Sequence, residues 1–221
     1  VTATIVPFKP PPEFGEVTAP WWSDKTVFLI GGGASLLGFD LKRLCGLGHL
    51  CGVNQSMLSL PVAAGVSVDH RFVKERRVEI TEFAKTTQLY LCLGNVFWRI
   101  LDPVPGAINL LDEFKPGLSV RPTTLRRGST SGYSALNLAV LKRAKRIVLL
   151  GYDYGVIDGH HHYHDAYPWH VVKDQNWSTW AKAFDAAATQ CRDLGIEVIN
   201  ASPRSAIECF PKMSPEQALT I

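Results

Sequence analysis

The chain has 221 residues, 46% of them hydrophobic, and a net charge of +3. That length and apolar content suit one domain with a sizeable core, and no apolar run reaches the roughly 20 residues of a membrane-spanning helix. The weak positive charge, spread over clusters such as Lys74-Glu75-Arg76-Arg77 and Lys142-Arg143-Ala144-Lys145-Arg146, argues against a nucleic-acid footprint and reads as solvated helix faces or helix C-termini.

In chain order, residues 1–24 come first and hold Pro7, Pro10, Pro11, Pro12 and Pro20 with Phe8, Phe14, Trp21 and Trp22 between them. Proline fixes φ and removes a donor, so this is an extended arm, whose aromatic content predicts docking along the domain or on a neighbouring subunit. The remainder, 25–221, opens with the stretch that organises it. Val27, Phe28, Leu29 and Ile30 predict a buried strand, and Gly31, Gly32 and Gly33 a tight turn that lets a backbone or ligand approach closely. Ala34, Ser35 and Leu36 would then open a helix whose free N–H groups suit a phosphate. A second strand, 49–53, delivers Asn54 and Gln55 to a carboxyl edge. Leu36 stands where a dinucleotide fingerprint wants Gly or Ala, and Asn54 where it wants an acid, so this is a poor NAD or FAD site; with no Gly-Lys-Ser/Thr after the glycines, a Walker loop is absent. A ligand-free glycine turn is the competing reading.

Residues 37–44 and 56–64 read as short helices, 66–69 as a third strand ending in Asp69, and 72–85 as an amphipathic helix. A fourth strand covers 88–93. Four prolines break up 97–122, leaving a short strand at 107–111 and the character of a lid or subunit contact. Ser129 or Thr130 would cap an apolar helix over 133–141, where Thr130, Ser131, Gly132 and the adjacent arginines make a second anion site. A fifth strand, 146–151, ends at Asp153. Alternating strands and helices predict an α/β fold: a single Rossmann-like domain with a mostly parallel sheet flanked by helices, preceded by the Pro-rich arm.

Five of the seven histidines fall between Gly159 and His170. An imidazole on a loop at the carboxyl edge is a candidate general base, with metal ligation by His162, His164 and Asp153 or Asp165, or a plain polar loop, as rival readings. The spacing of Trp177, Trp180, Ala181, Phe184, Ala187, Ala188, Cys191 and Leu194 predicts a long amphipathic helix with its tryptophans in the core. A sixth strand at 196–200, a short helix at 205–210 and a final turn capped by Ser214 complete the chain. The five cysteines are odd in number, scattered and without zinc spacing, and read as reduced core thiols of a cytoplasmic protein.

Taken in order, IGGGASL, GVNQ, STSG, GYDYG, Tyr-x-x-His and SPRS resemble the bacterial lipooligosaccharide sialyltransferases. They also resemble the related motility accessory factor and 6-hydroxymethylpterin diphosphokinase-like proteins, and short proteins of tailed phages. The resemblance implies a glycosyltransferase using a nucleotide-sugar donor, a CMP-sugar or similar, with no tightly bound cofactor and no metal. By it, Gly31, Gly33, Ser35, Asn54 and Gln55 hold the nucleotide, with Thr130, Ser131 and Gly132 beside the donor phosphate; Gly32, where those enzymes carry Asn, and Asp153 complete the candidate nucleotide-binding set. Tyr167 becomes a phosphate ligand and His170 the general base, while a Gly-x-x-His-aromatic-His pattern at Gly159, His162, Tyr163 and His164 offers His162 or His164 instead. Partners are then the donor and an acceptor hydroxyl. Two alternatives stay open: ATP-dependent pyrophosphoryl transfer, with Mg²⁺ on Asp69 and Asp153, and a non-enzymatic phage protein using the arm to contact a virion or a second copy.

Overall fold

The computed structural model describes residues 13–94, 102–167 and 176–221. Its strands are β1 (Val27–Ile30), β2 (His49–Val53), β3 (Ala64–Ser67), β4 (Gln88–Leu91), β5 (Ile108–Asn109), β6 (Leu111–Asp112), β7 (Thr124–Leu125), β8 (Arg146–Leu150) and β9 (Glu197–Asn200). Seven of them form one sheet in the order β5-β4-β3-β2-β1-β8-β9, with every pairing parallel. β6 and β7 pair separately and also in parallel. The α/β architecture expected from the alternation of elements is therefore the observed one. A parallel sheet buries both faces, which is why its strands are nearly continuous apolar runs.

The period of two sorts those runs into two cores. Val27, Leu29, Cys51, Val66, Ile147 and Leu149 point toward helices α4 (Ser131–Leu141) and α5 (Trp177–Asp193). Phe28, Ile30, Leu50, Leu89, Val148 and Leu150 point the other way, onto α1 (Gln55–Ser59), α2 (His70–Glu75), α3 (Arg77–Ala84) and the C-terminal Ala218. α4 is buried along eight of its eleven residues, as its almost continuous apolar sequence predicts. No helix among the described residues is long and apolar enough to cross a membrane.

Several local expectations are corrected. The helix predicted over 37–44 is replaced by 3₁₀ turns at Ala34–Leu36 and Leu41–Leu44, because Gly38 at φ +77° ends the first and Asp40 caps the second through the Lys42 N–H. The helix at 56–64 stops at Ser59: Leu60 precedes Pro61 and is extended, and Ala64 already belongs to β3. Asp69 is no strand residue but the N-cap of α2, accepting from the Arg71 and Phe72 N–H groups. The helix at 72–85 is two helices broken at Arg76. No helix forms over 205–210, where Ser205 Oγ instead donates to Tyr152 O and accepts from Ile207 N–H. Cys45 is exposed rather than in the core.

Residues 13–24 of the arm lie along the domain. Gly15 N–H donates to Asn109 O, Val17 N–H to Pro122 O and Trp22 N–H to Lys142 O, and the Trp22 ring is fully buried. Lys142 is not the solvated cation its cluster suggests. It is buried at the C-cap of α4, its ammonium donating to Thr18 O, Pro20 O and Gln88 Oε1, with the Trp22 and Tyr90 rings 5.5 and 5.4 Å away. Burial pulls its pKa down to about 8, so it is still charged at neutral pH. Lys142→Met removes the donor shared by Thr18 O, Pro20 O and Gln88 Oε1, and is expected to cost about 1–3 kcal/mol in urea unfolding and to expose the arm to proteolysis before the domain unfolds.

Candidate active site

β1 has β2 on one side and β8 on the other, so the chain leaves their carboxyl ends in opposite directions and opens a crevice there. β1 runs into Gly31, Gly32 and Gly33, and β8 into Gly151, Tyr152 and Asp153. The two turns are laced together by Gly31 N–H on Leu150 O and Gly33 N–H on Gly151 O, at 2.7 and 2.9 Å. A Cβ on Gly31 would stand 2.6 Å from Gly151 O. One on Gly33 would stand 2.5 Å from Asp153 Oδ2. The glycines therefore serve first the approach of one turn to the other.

Asp153 is 2% exposed, and its Oδ2 accepts from the Ser35 N–H at 2.7 Å. The amide offered by sequence to a phosphate is thus occupied by a carboxylate, and the expected helix start is only a 3₁₀ turn. Burial raises the Asp153 pKa, and the hydrogen bond from Ser35 opposes it. The SPRS segment braces this turn: Ser202 Oγ accepts from Tyr152 N–H, and Ala206 N–H donates to Asp153 O.

The crevice holds a cavity of about 330 Å³. Gly31, Gly32, Gly33, Asn54, Thr130, Ser131, Gly132, Asp153, His162 and Tyr167 all line it, while Ser35, Gln55 and His164 do not. Asn54 sits at φ 51°, ψ −122°, a backbone state that favours glycine, with its N–H on Val66 O and its amide side chain reaching the Tyr167 hydroxyl. Thr130 is the N-cap of α4, accepting from Tyr133 N–H at 3.2 Å and sharing a 2.7 Å hydrogen bond with the Tyr154 hydroxyl. Ser131 Oγ accepts from Val68 N–H, tying the helix start to the end of β3. Ser131 and Gly132, in the first turn of this helix, line the cavity together with Arg127, whose guanidinium is held 2.7 Å from Asp112.

The histidine loop closes the other side. Tyr163 N–H and His162 Nδ1 both reach Gly32 O, at 3.1 and 3.2 Å. A carbonyl only accepts, so Nδ1 carries the proton and Nε2 of the neutral ring carries the lone pair. The rings of His162 and His164 stack in parallel at 5.3 Å, and Tyr167 meets them edge-on at 5.1 and 4.9 Å. His164 has the opposite tautomer, since its Nδ1 accepts from Ala166 N–H. Burial, with the neighbouring His162, lowers its pKa to about 4. Between pH 6.5 and 4 the unfolded chain takes up a proton that the folded chain refuses, so His164 removes stability as pH falls through that window. Allowing for its partial exposure the loss is on the order of 2 kcal/mol, and His164→Gln is expected to flatten that acid limb in urea titrations at pH 7 and 4.5.

His170 lies outside the described residues. Among the described residues no three His, Cys, Asp or Glu side chains are gathered as metal ligands. Arg127 lines the cavity as one of the arginines of the expected anion site, whereas sequence reasoning singles out neither His161 nor Tyr154 and places Trp177 and Trp180 in the core. Both tryptophans sit at the start of α5, beyond the sheet edge; they are half-buried, line the cavity, and Trp177 stacks on His161 at 6.4 Å. Helical spacing reports a face, not what covers it.

Solved structures share this fold. The MAf glycosyltransferase from Magnetospirillum magneticum AMB-1 matches 92% of this chain with a TM-score of 0.61 and 14% identity; the chain spans only 36% of that protein. The sialyltransferase CstII from Campylobacter jejuni aligns over 86% of both chains in complex with CMP-3FNeuAc, with 15% identity and a TM-score of 0.48. Its complex with cytidine-5'-monophosphate aligns over 87% of this chain and 86% of that one, with 16% identity and a TM-score of 0.49. No family model matches the sequence, and no curated protein does.

Proposed function

We propose that the chain is a nucleotide-sugar-dependent glycosyltransferase. The observation that carries this reading is the convergence, in one cavity at the sheet's switch point, of Asn54, the N-terminus of α4 with Arg127, and a histidine of defined tautomer. The fold shared with MAf glycosyltransferase is compatible with it. In the reaction, the acceptor hydroxyl oxygen bonds to the donor's anomeric carbon as the bond from that carbon to the phosphate oxygen breaks, its electron pair leaving on the phosphate. The acceptor proton passes to His162 Nε2. The departing phosphate gains charge, which the first-turn N–H groups of α4, Arg127 and the Tyr167 hydroxyl are placed to stabilise. His164, which does not line the cavity, stacks on the His162 ring.

Thermal unfolding against CMP, UDP, GDP and ATP, each with and without Mg²⁺, tests this. A nucleotide present at about 100 times its Kd raises stability by about 2.7 kcal/mol, or roughly 5–10 °C for a chain of this size. We expect CMP or a nucleoside diphosphate to give that shift without metal. Asn54→Gly, which keeps the backbone state and removes the amide, is expected to abolish most of it. A shift with ATP only in the presence of Mg²⁺ redirects the reading to phosphoryl transfer. No shift with any nucleotide overturns the nucleotide premise.

A further inference from the structure

A second cavity, of about 360 Å³, adjoins the first, and Arg127, Ser129 and Trp180 line both. Its far walls are Phe114 and Lys115, from the segment after β6, and Lys182 from α5. Phe114 is 80% exposed yet held in place, with the Arg127 guanidinium 5.6 Å over its ring. Trp180 is braced edge-on by Trp177 at 5.5 Å. Two aromatic side chains lining an open cavity suit a pyranose ring, whose C–H faces are apolar and whose edges carry the hydroxyls.

The charges are unbalanced in one direction. Glu113 serves two cations, Lys115 at 2.9 Å and Arg126 at 3.1 Å, and Arg127 is matched by Asp112. Lys182 forms no ion pair with a described residue. The rim therefore keeps a surplus of positive charge beside the aromatic walls.

We propose that this second cavity is the acceptor subsite, and that the acceptor is a saccharide carrying a carboxylate or phosphate. The inference rests on the glycosyl-transfer reading of the first cavity. A ring seated by Phe114 and Trp180 lies against the shared wall, so its hydroxyl edge faces the donor, while its anionic group meets Lys182 and Lys115.

The test uses the full chain and two probes that differ by one carboxylate, 4-nitrophenyl β-D-glucuronide and 4-nitrophenyl β-D-glucoside, titrated by ligand-observed NMR at low salt. One favourable charge contact predicts a preference of about 5–10-fold for the glucuronide. Lys182→Glu is expected to erase the preference, and Phe114→Ala to weaken both probes. Neither residue lines the donor cavity, and both are exposed. Both variants should thus unfold like the parent and keep its nucleotide-induced thermal shift. Equal binding of the two probes, or a preference that survives Lys182→Glu, overturns the inference while the intact nucleotide shift leaves the transferase reading standing. Absence of a nucleotide shift in the parent overturns both, even where the glucuronide binds.

Discussion

His162→Ala is expected to lower the rate of glycosyl transfer by about 10²–10⁴-fold while leaving the nucleotide-induced thermal shift in place. Gly32 O holds the Nδ1 proton, so the cavity-lining ring carries its basic lone pair on Nε2. In the proposed reaction the group removed takes the acceptor's proton and does not grip the donor, so kcat falls with little change in donor affinity. His164 differs on both counts: its Nδ1 is occupied by the Ala166 N–H, and it does not line the cavity. His164→Gln should therefore cost less than about tenfold, through a loosened stack behind His162. Full activity in His162→Ala, with the loss appearing in His170→Ala instead, would transfer the role of base to His170.

Gly33→Ala should cost substantial stability through a single methyl. Gly33 has φ −67° and ψ 152°, a conformation alanine adopts without strain, so the effect is purely one of space. The new Cβ would meet Asp153 Oδ2 at 2.5 Å and Gly151 O at 2.6 Å, one a carboxylate pinned by the Ser35 N–H and the other backbone of the neighbouring turn. Neither yields without moving the junction of β1 and β8, and we expect a cost of about 3 kcal/mol in urea unfolding. Asp153→Ala alone orphans the Ser35 N–H and should cost about 1–3 kcal/mol. Because the deletion also removes one of the two clashing groups, the double variant is expected to lose less than the two single losses combined. Gly155→Ala is the control: its Cβ would meet nothing nearer than Asp153 O at 3.9 Å, so it should be neutral to within about 0.5 kcal/mol. A neutral Gly33→Ala would show that the two turns are not locked together as described.

The legible parts of the site were those with a local cause. Thr130 was readable as an N-cap because a hydroxyl before an apolar helical run has one common use. Between Ser129 and Thr130 the structure chose the second, since Ser129 lies at φ 70°, a left-handed state incompatible with capping. The glycine turn was readable too, but its function was misassigned in part. The amide of Ser35 looked open from its neighbours in sequence, and it is satisfied by a residue 118 positions away.

The sequence by itself determined the apolar four- and five-residue runs and the crossovers between them, and with them a parallel sheet buried on both faces, because a run without polar alternation cannot face water on either side. It also determined which turns carry glycine, hydroxyl and histidine to the strand ends. Only the tertiary structure decided that the turn after β1 and the turn after β8 interlock, that Lys142 is buried under the arm, that Trp177 and Trp180 line a cavity, and that His161 and His162 line it too while His164 does not. Each of those outcomes rests on contacts between residues far apart in the chain, such as His162 on Gly32 across 130 positions. Propensity and periodicity report what a segment can hide or cap by itself; the partner of a side chain at the far end of the fold is set by strand order, and strand order is fixed only when the whole sheet assembles.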